Sequence, residues 1–202
     1  YRFPGVEIRA RLFRNYPYNQ LASHVIGYIG RINQAEKGKI EESEDAGNYR
    51  GTDYIGKLGV EQSYEAQLHG ITGVQEMETS AGGRAVRILD SRPARPGRTV
   101  ELTIDAKLQQ MVERLYGSRR GALVAIDPRS GEVLAFVSSP TFDPNLFVEG
   151  IDVESWRALA DSPDKPLLNR AIRGRYPPGS TYKPFMGLAA LELGKRTPQA
   201  TT

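Results

Sequence analysis

The sequence contains no cysteine, which excludes a disulfide framework, a cysteine zinc cluster and thiol chemistry. Histidine is nearly absent as well, with only His24 and His69 in 202 residues. A Ser-His-Asp triad would need one of them beside the nucleophile, yet both sit among apolar or glycine neighbours that suit a structural role. No run of about 18 apolar residues occurs, so no membrane-spanning helix is written here. No charged-then-apolar leader opens the chain at Tyr1, which begins almost directly in a strand-like pattern and reads as a piece of a longer protein. The net charge of +3 is too small to point to nucleic acid. Gly27 and Gly30 do not start a G-x-G-x-x-G phosphate loop, and nothing calls for a metal or an organic cofactor.

What remains is an ordinary globular composition, long enough for one large or two small domains with real cores. Val6, Ile8, Ala10 and Leu12 alternate with Glu7, Arg9 and Arg11, the pattern of a half-buried strand. Tyr16-Pro17-Tyr18-Asn19 breaks it, and an apolar segment runs from Leu21 to Ile32. Glu36 to Asn48 is charged and poor in apolar residues, which predicts an exposed loop. Val60, Tyr64 and Leu68 share one helical face that Gly70 ends. Val74–Thr79 and Arg84–Leu89 read as a hairpin closed by Ser80-Ala81-Gly82-Gly83. The loose basic run Arg84, Arg87, Arg92, Arg95 and Arg98 reads as solvated surface.

Prolines and glycine with no apolar pattern make Ser91–Gly97 the best domain boundary. The spacing predicts a β-rich domain over 1–92, a linker over 93–98 and a second unit over 99–202. In that second unit a strand is expected over Thr99–Ile104. Asp105 then caps a helix through Tyr116 whose stripe of Leu108, Met111, Val112 and Leu115 is read as core, with Gly117 as its stop. Gly121–Ile126 and Glu132–Ser138 form a hairpin around Asp127-Pro128-Arg129-Ser130-Gly131, expected near the centre of a sheet. A short helix around Trp156 is capped by Asp152, and Trp156 itself reads as packing.

The chain is organised around Pro177-Pro178-Gly179-Ser180-Thr181-Tyr182-Lys183-Pro184 and the apolar run Phe185–Leu191. The pattern predicts a tight turn delivering a serine onto the first turn of a buried helix. Residues i and i+3 share a helix face, so Lys183 can reach back to the hydroxyl of Ser180. That is a nucleophile with a candidate base beside it. The helix N-terminus at the same spot favours an oxyanion. The same residues also read as a plain helix start. Ser162-Pro163-Asp164-Lys165 matches S-x-x-K too, but Pro166 and the missing apolar run mark it as loop.

Pro178–Pro184 resembles the active-serine motif of the penicillin-binding proteins. Val100–Asp105 with Leu108-Gln109 looks like the opening of their transpeptidase domain. Ala125-Ile126-Asp127-Pro128 with Ser130–Ala135 is similar to its first hairpin, and Pro140–Asn145 and Asn169-Arg170-Ala171 match further signatures. Gly56-Lys57-Leu58-Gly59-Val60-Glu61, with Tyr64, Leu68 and Gly70, resembles the non-catalytic pedestal of the class B enzymes. Tyr16-Pro17-Tyr18 and His24–Tyr28 are similar to the branch that serves rod-shape elongation.

The resemblance implies an α+β protein, with a pedestal (dimerisation-like) domain followed by the N-terminal part of a serine transpeptidase domain. It implies a D,D-transpeptidase that crosslinks peptidoglycan stem peptides through an acyl-enzyme and is acylated by β-lactams. Ser180 would be the nucleophile and Lys183 the general base, with no metal or cofactor. It places the protein at the periplasmic face of the bacterial inner membrane, on an N-terminal anchor outside this sequence. The pedestal would meet a multi-pass glycan polymerase and other elongation proteins. The family's S-x-N and K-T/S-G motifs do not occur in these residues, so this chain would carry the nucleophile half of a site and is not expected to turn over alone. A β-lactam-binding receptor and a pedestal interaction module remain alternatives. A β-lactamase has no need of the segment before Pro93.

Overall fold

A computed structural model describes residues 13–83 and 85–199. The strand expected over Val6–Leu12 and the start of the second hairpin strand at Arg84 lie outside them. The first half opens with α1 (Ser23–Ile26), β1 (Ile29–Arg31), α2 (Gln34–Glu41) and β2 (Tyr54–Gly56). It continues through α3 (Gly59–Ser63), α4 (Glu65–Leu68), β3 (Val74–Thr79) and β4 (Ala85–Arg92). The second half runs through α5 (Ala106–Tyr116), β5 (Gly121–Ile126), β6 (Val133–Ser139) and α6 (Asn145–Val148). It ends with α7 (Val153–Ala160), α8 (Arg170–Arg173), a 3-10 turn over Gly179–Tyr182 and α9 (Lys183–Glu192). The strands pair as three antiparallel two-stranded sheets, β1 with β2, β3 with β4 and β5 with β6. Helix is as prominent as strand in the first half, a mixed α and β pedestal.

The loop expected over Glu36–Asn48 begins as helix instead. Asn33 accepts from the N–H of Glu36 while the Glu36 carboxylate accepts from the N–H of Asn33, a complete capping box. Glu36 also pairs with Lys57, which ties the charged helix to the body without an apolar stripe. The single helix expected through Val60, Tyr64 and Leu68 breaks at Tyr64 into α3 and α4. There the Glu65 carboxylate turns to accept from the Gly56 N–H at 2.8 Å and the Tyr49 hydroxyl at 3.1 Å. The β3–β4 hairpin forms as expected and extends to Arg92. Val74, Met77, Val86, Ile88 and Leu89 on it are all exposed.

The proline-rich stretch after β4 is packed rather than free. Ile71 and Arg95 exchange backbone hydrogen bonds, and Arg98 donates its N–H to Gln67. A Cβ on Gly97 would lie 1.9 Å from the Leu68 carbonyl oxygen, so only glycine lets the two backbones approach. Thr99–Ile104 is not a strand. Among the described residues its hydrogen bonds to β6 are the Thr103 hydroxyl on Val133 and, just after it, the Asp105 N–H on Leu134, too few for a ladder. The β5–β6 hairpin appears with the expected turn, but as a two-stranded sheet among the described residues.

Helix α5 starts where Asp105 accepts from Lys107 and Leu108, and stops at Gly117. Its buried face is carried by Gln109 and Val112, whereas Met111 and Leu115 are exposed, so the expected apolar stripe is only partly core. Gln109 is fully buried because its carboxamide behaves like a strand neighbour. It donates to the Phe136 carbonyl at 2.9 Å and accepts the Phe136 N–H at 2.8 Å. Asn145 does the same for Tyr16, donating to its carbonyl at 3.0 Å and accepting its N–H at 2.9 Å. Between these two pairs lies an aromatic cluster from both halves. Tyr28 stacks on Phe147 at 4.0 Å, and Phe142 meets His24, Tyr28 and Phe147 edge-on.

The Tyr16 hydroxyl reaches into the first half, accepting from Ile29 N–H at 3.0 Å and donating to Glu61 at 3.1 Å. Glu61 is only 3% exposed and also takes two bonds from the Arg14 guanidinium. Removing the hydroxyl leaves the Ile29 N–H without its acceptor and takes one donor from the buried Glu61 carboxylate, which keeps Arg14. Tyr16→Phe should lower the unfolding free energy by about 1–3 kcal/mol. Tyr18→Phe, on an exposed ring, should leave the denaturant midpoint unchanged.

Candidate active site

The polypeptide reaches the serine from α8, which packs on β5 and β6. Asn169 caps α8 by accepting from Ile172. Gly174 then turns the chain towards Pro177-Pro178, and Gly179, at φ +55°, opens the 3-10 turn. Ser180 lies in that turn and Lys183 is the first residue of α9, its N–H donating to the Ser180 carbonyl. Thr181 closes the turn through its hydroxyl on Pro178, and Pro184 occupies the start of the helix, where its missing N–H costs nothing.

Ser180 and Lys183 are thus one turn apart at a helix start, both exposed. Among the described residues no hydrogen bond joins the Ser180 Oγ to the Lys183 Nζ. The expected burial of the helix is not seen. Phe185, Met186, Leu188 and Leu191 are exposed, because among the described residues α9 packs substantially only on the turn before it. A helix apolar around its circumference is built to be enclosed, so these residues present the shape of a core helix without its cover.

The other S-x-x-K sequence forms a tight turn. The Lys165 N–H bonds to the Ser162 carbonyl at 3.0 Å and Lys165 takes a φ of +44°, so the pair never shares a helix face. His69 stacks on Tyr49 at 4.3 Å, with its ring nitrogens near Asn48 and Thr52. His24 packs edge-on against Phe142, and its Nε2 is buried without a hydrogen-bond partner. Burial holds the His24 pKa below the ordinary imidazole value, against the pull of the Pro166 and Pro140 backbone, and the Arg170 charge acts in the same downward direction. Both histidines serve packing. Burial and the Glu61 charge push the Tyr16 phenol up, so it stays a donor to that carboxylate. No cluster of acids and imidazoles able to hold a metal occurs among the described residues. An apolar cleft of about 330 Å³ lies at the junction of the halves, lined by His24, Val60, Tyr64, Leu102, Phe136 and Ile172.

Sequence reasoning passed over the residues that position this framework. Gln109 and Asn145 each lie within a stretch already singled out, and Arg170 and Glu61 do too. Their signal was a polar side chain inside an apolar pattern, which means burial with an obligatory partner.

Residues 1–102 match the penicillin-binding protein dimerisation domain, and residues 121–202 match the penicillin-binding protein transpeptidase domain. The peptidoglycan D,D-transpeptidase MrdA of Escherichia coli K12 is 46% identical over 201 residues, 100% of this chain and 32% of that protein. Penicillin-binding protein 2 of Pseudomonas aeruginosa, solved in complex with WCK 5153, superposes with a TM-score of 0.76 at 43% identity. That match covers 94% of this chain and 37% of the other. The Helicobacter pylori protein, solved in complex with MreC, gives 0.81 at 34% identity, covering 94% of this chain and 34% of that one. The chain spans about a third of the length of the curated relatives it matches. It belongs to the class B penicillin-binding proteins.

His24 gives a pH test of the junction. A histidine whose folded pKa is depressed contributes stability that is full above its unfolded value, about 6.5, and is lost as pH falls through the folded value. Between pH 8 and pH 5 the unfolding midpoint should therefore drop, and His24→Leu should flatten that drop.

Proposed function

We propose that the protein containing these residues is a peptidoglycan D,D-transpeptidase of rod-shape elongation, with Ser180 as nucleophile and Lys183 as general base. The observation that carries the reading is the Pro178–Pro184 turn. It sets a serine and a lysine at i and i+3 on the start of an apolar helix, in a chain that matches both family domains in order. In the proposed cycle neutral Lys183 takes the proton of Ser180, and the serine oxygen bonds to the carbonyl carbon of the penultimate D-Ala. The peptide C–N bond breaks, and the terminal D-Ala leaves with the proton from the lysine. An amine on a neighbouring stem peptide then attacks the ester, forming the crosslink and releasing Ser180. β-Lactams take the place of the D-Ala-D-Ala end and stop at the acyl-enzyme.

The S-x-N and K-T/S-G motifs would come from outside these 202 residues, together with the cover for α9. The catalytic face is read as periplasmic, held at the inner membrane by a single anchor. Partner binding is assigned to the pedestal, with a multi-pass glycan polymerase and an MreC-like protein as its partners. The exposed apolar residues of β3 and β4 favour that role, and for the 202 residues alone an interaction module without turnover is the fitting description.

Intact mass after exposure of the full-length protein to a penicillin tests the reading. One adduct is expected, on the peptide holding Ser180, and absent in Ser180→Ala. Lys183→Met should slow acylation by roughly 10²–10⁴-fold. The 202-residue chain alone should stay unlabelled. An adduct that survives Ser180→Ala would contradict the assignment.

A further inference from the structure

We infer that Arg170 is a positioning residue for the serine turn, a role that rests on the proposed acyl-enzyme chemistry. Among the described residues the turn and α9 pack substantially only on each other, so within them what fixes Ser180 relative to the β5–β6 hairpin acts through the chain that precedes it. That chain is anchored at Arg170. Arg170 is 6% exposed and has no carboxylate within ion-pair distance among the described residues. Its guanidinium instead donates to two successive carbonyls, Asp164 and Lys165, the latter at 3.0 Å. Burying a cation against carbonyl dipoles alone is costly, and the planar fork is what makes two directed bonds possible. The Asp164 carboxylate faces elsewhere, towards Arg120 at 3.4 Å, so it does not neutralise the site.

The backbone of Arg170 is pinned as firmly as its side chain. Its N–H donates to the Ser138 hydroxyl on β6 at 2.9 Å, and that hydroxyl donates to the Leu168 carbonyl at 3.0 Å. One serine therefore clamps the chain on both sides of Asn169. After α8 the path is equally constrained. The Gly174 N–H bonds to the Arg170 carbonyl at 3.1 Å, and a Cβ on Gly174 would lie 2.4 Å from that oxygen. Two prolines then stiffen the last approach to the turn. Guanidinium, hydroxyl clamp, glycine and prolines form one short lever from β6 to Ser180.

Lysine keeps the charge of Arg170 but cannot hold both carbonyls, which makes Arg170→Lys the discriminating variant. In the full-length protein, stopped-flow acylation by a fluorescent penicillin separates the pre-covalent dissociation constant from the first-order acylation constant. Arg170→Lys should lower the acylation constant by roughly 10- to 100-fold, the cost of a misplaced nucleophile, with little change in the dissociation constant. Arg173→Gln, on the exposed side of α8, should acylate at the native rate. A native acylation constant in folded Arg170→Lys, with only a lower thermal midpoint, would overturn the inference and leave Arg170 a stabilising residue. If Arg170→Lys does not fold, Ser138→Ala decides in the same way, since it removes the clamp and keeps the guanidinium. A native protein not acylated at Ser180 is a different result, and would overturn the functional reading together with this inference.

Discussion

A buried backbone group must find a partner, and where the two halves of this chain meet no strand ladder among the described residues supplies one. Side chains do it instead. The Asn145 carboxamide closes a two-bond pair with the backbone of Tyr16 across the junction, and within the second half the Gln109 carboxamide closes another between α5 and Phe136 of β6. The Glu113 carboxylate sits between them, accepting from Gln109 at 2.8 Å and from the Ala22 N–H at 3.0 Å. Thr141 completes the seam by donating to the Gln20 carbonyl and sharing a hydrogen bond with Ser23. The aromatic cluster of Tyr28, Phe142 and Phe147 fills the space these bonds enclose. The pedestal is thus joined to the transpeptidase-domain half through directed polar contacts as well as apolar packing, which fixes its register on β6.

That seam gives the serine turn a reference frame. β6 carries Phe136, held by Gln109, and Ser138, which clamps the chain around Asn169. The order of contacts runs from Ala22 through Glu113 and Gln109 of α5 to β6 and α8, and from there along the Gly174–Pro178 path to Ser180, while Tyr16 joins the second half separately at Asn145. A disturbance of the pedestal near Ala22 is physically connected to Ser180 by that route. The exposed apolar helix α9 lies at its far end. Its exposed Phe185, Met186, Leu188 and Leu191 bring uncovered apolar surface to the point where the chemistry is proposed.

The elements legible in the sequence were those whose cause is local. Asp105 and Gly117 bracket α5, and the Asp127–Gly131 turn sets the β5–β6 hairpin. Gly179 and Pro184 mark the start of α9. Elements governed by polar side chains were harder to read. The Asn33–Glu36 capping box makes α2 helical without an apolar stripe, and Glu65 breaks a helix that hydrophobic spacing would continue. Gln109 displaced Met111 and Leu115 from the core because a buried carboxamide on β6 satisfies two backbone groups that no leucine could. The serine and lysine were legible from their spacing. The exposure of α9 was not, since burial depends on what packs over a helix and no local pattern contains that. Arg170 was visible only as part of a recurring signature. Its use of two carbonyls in place of an acid could be found only in three dimensions.

Native-state hydrogen exchange on the full-length protein tests the seam most directly. The amides of Tyr16 and Ala22, each bonded to a side chain across the junction, and that of Phe136, bonded to Gln109 within the second half, should be strongly protected. In Asn145→Ala, protection of Tyr16 and Ala22 should fall together, with Phe136 following. Loop-like exchange of Tyr16 and Ala22 in the native protein, beside a fully protected Phe136, would mean that the halves are not joined by these bonds.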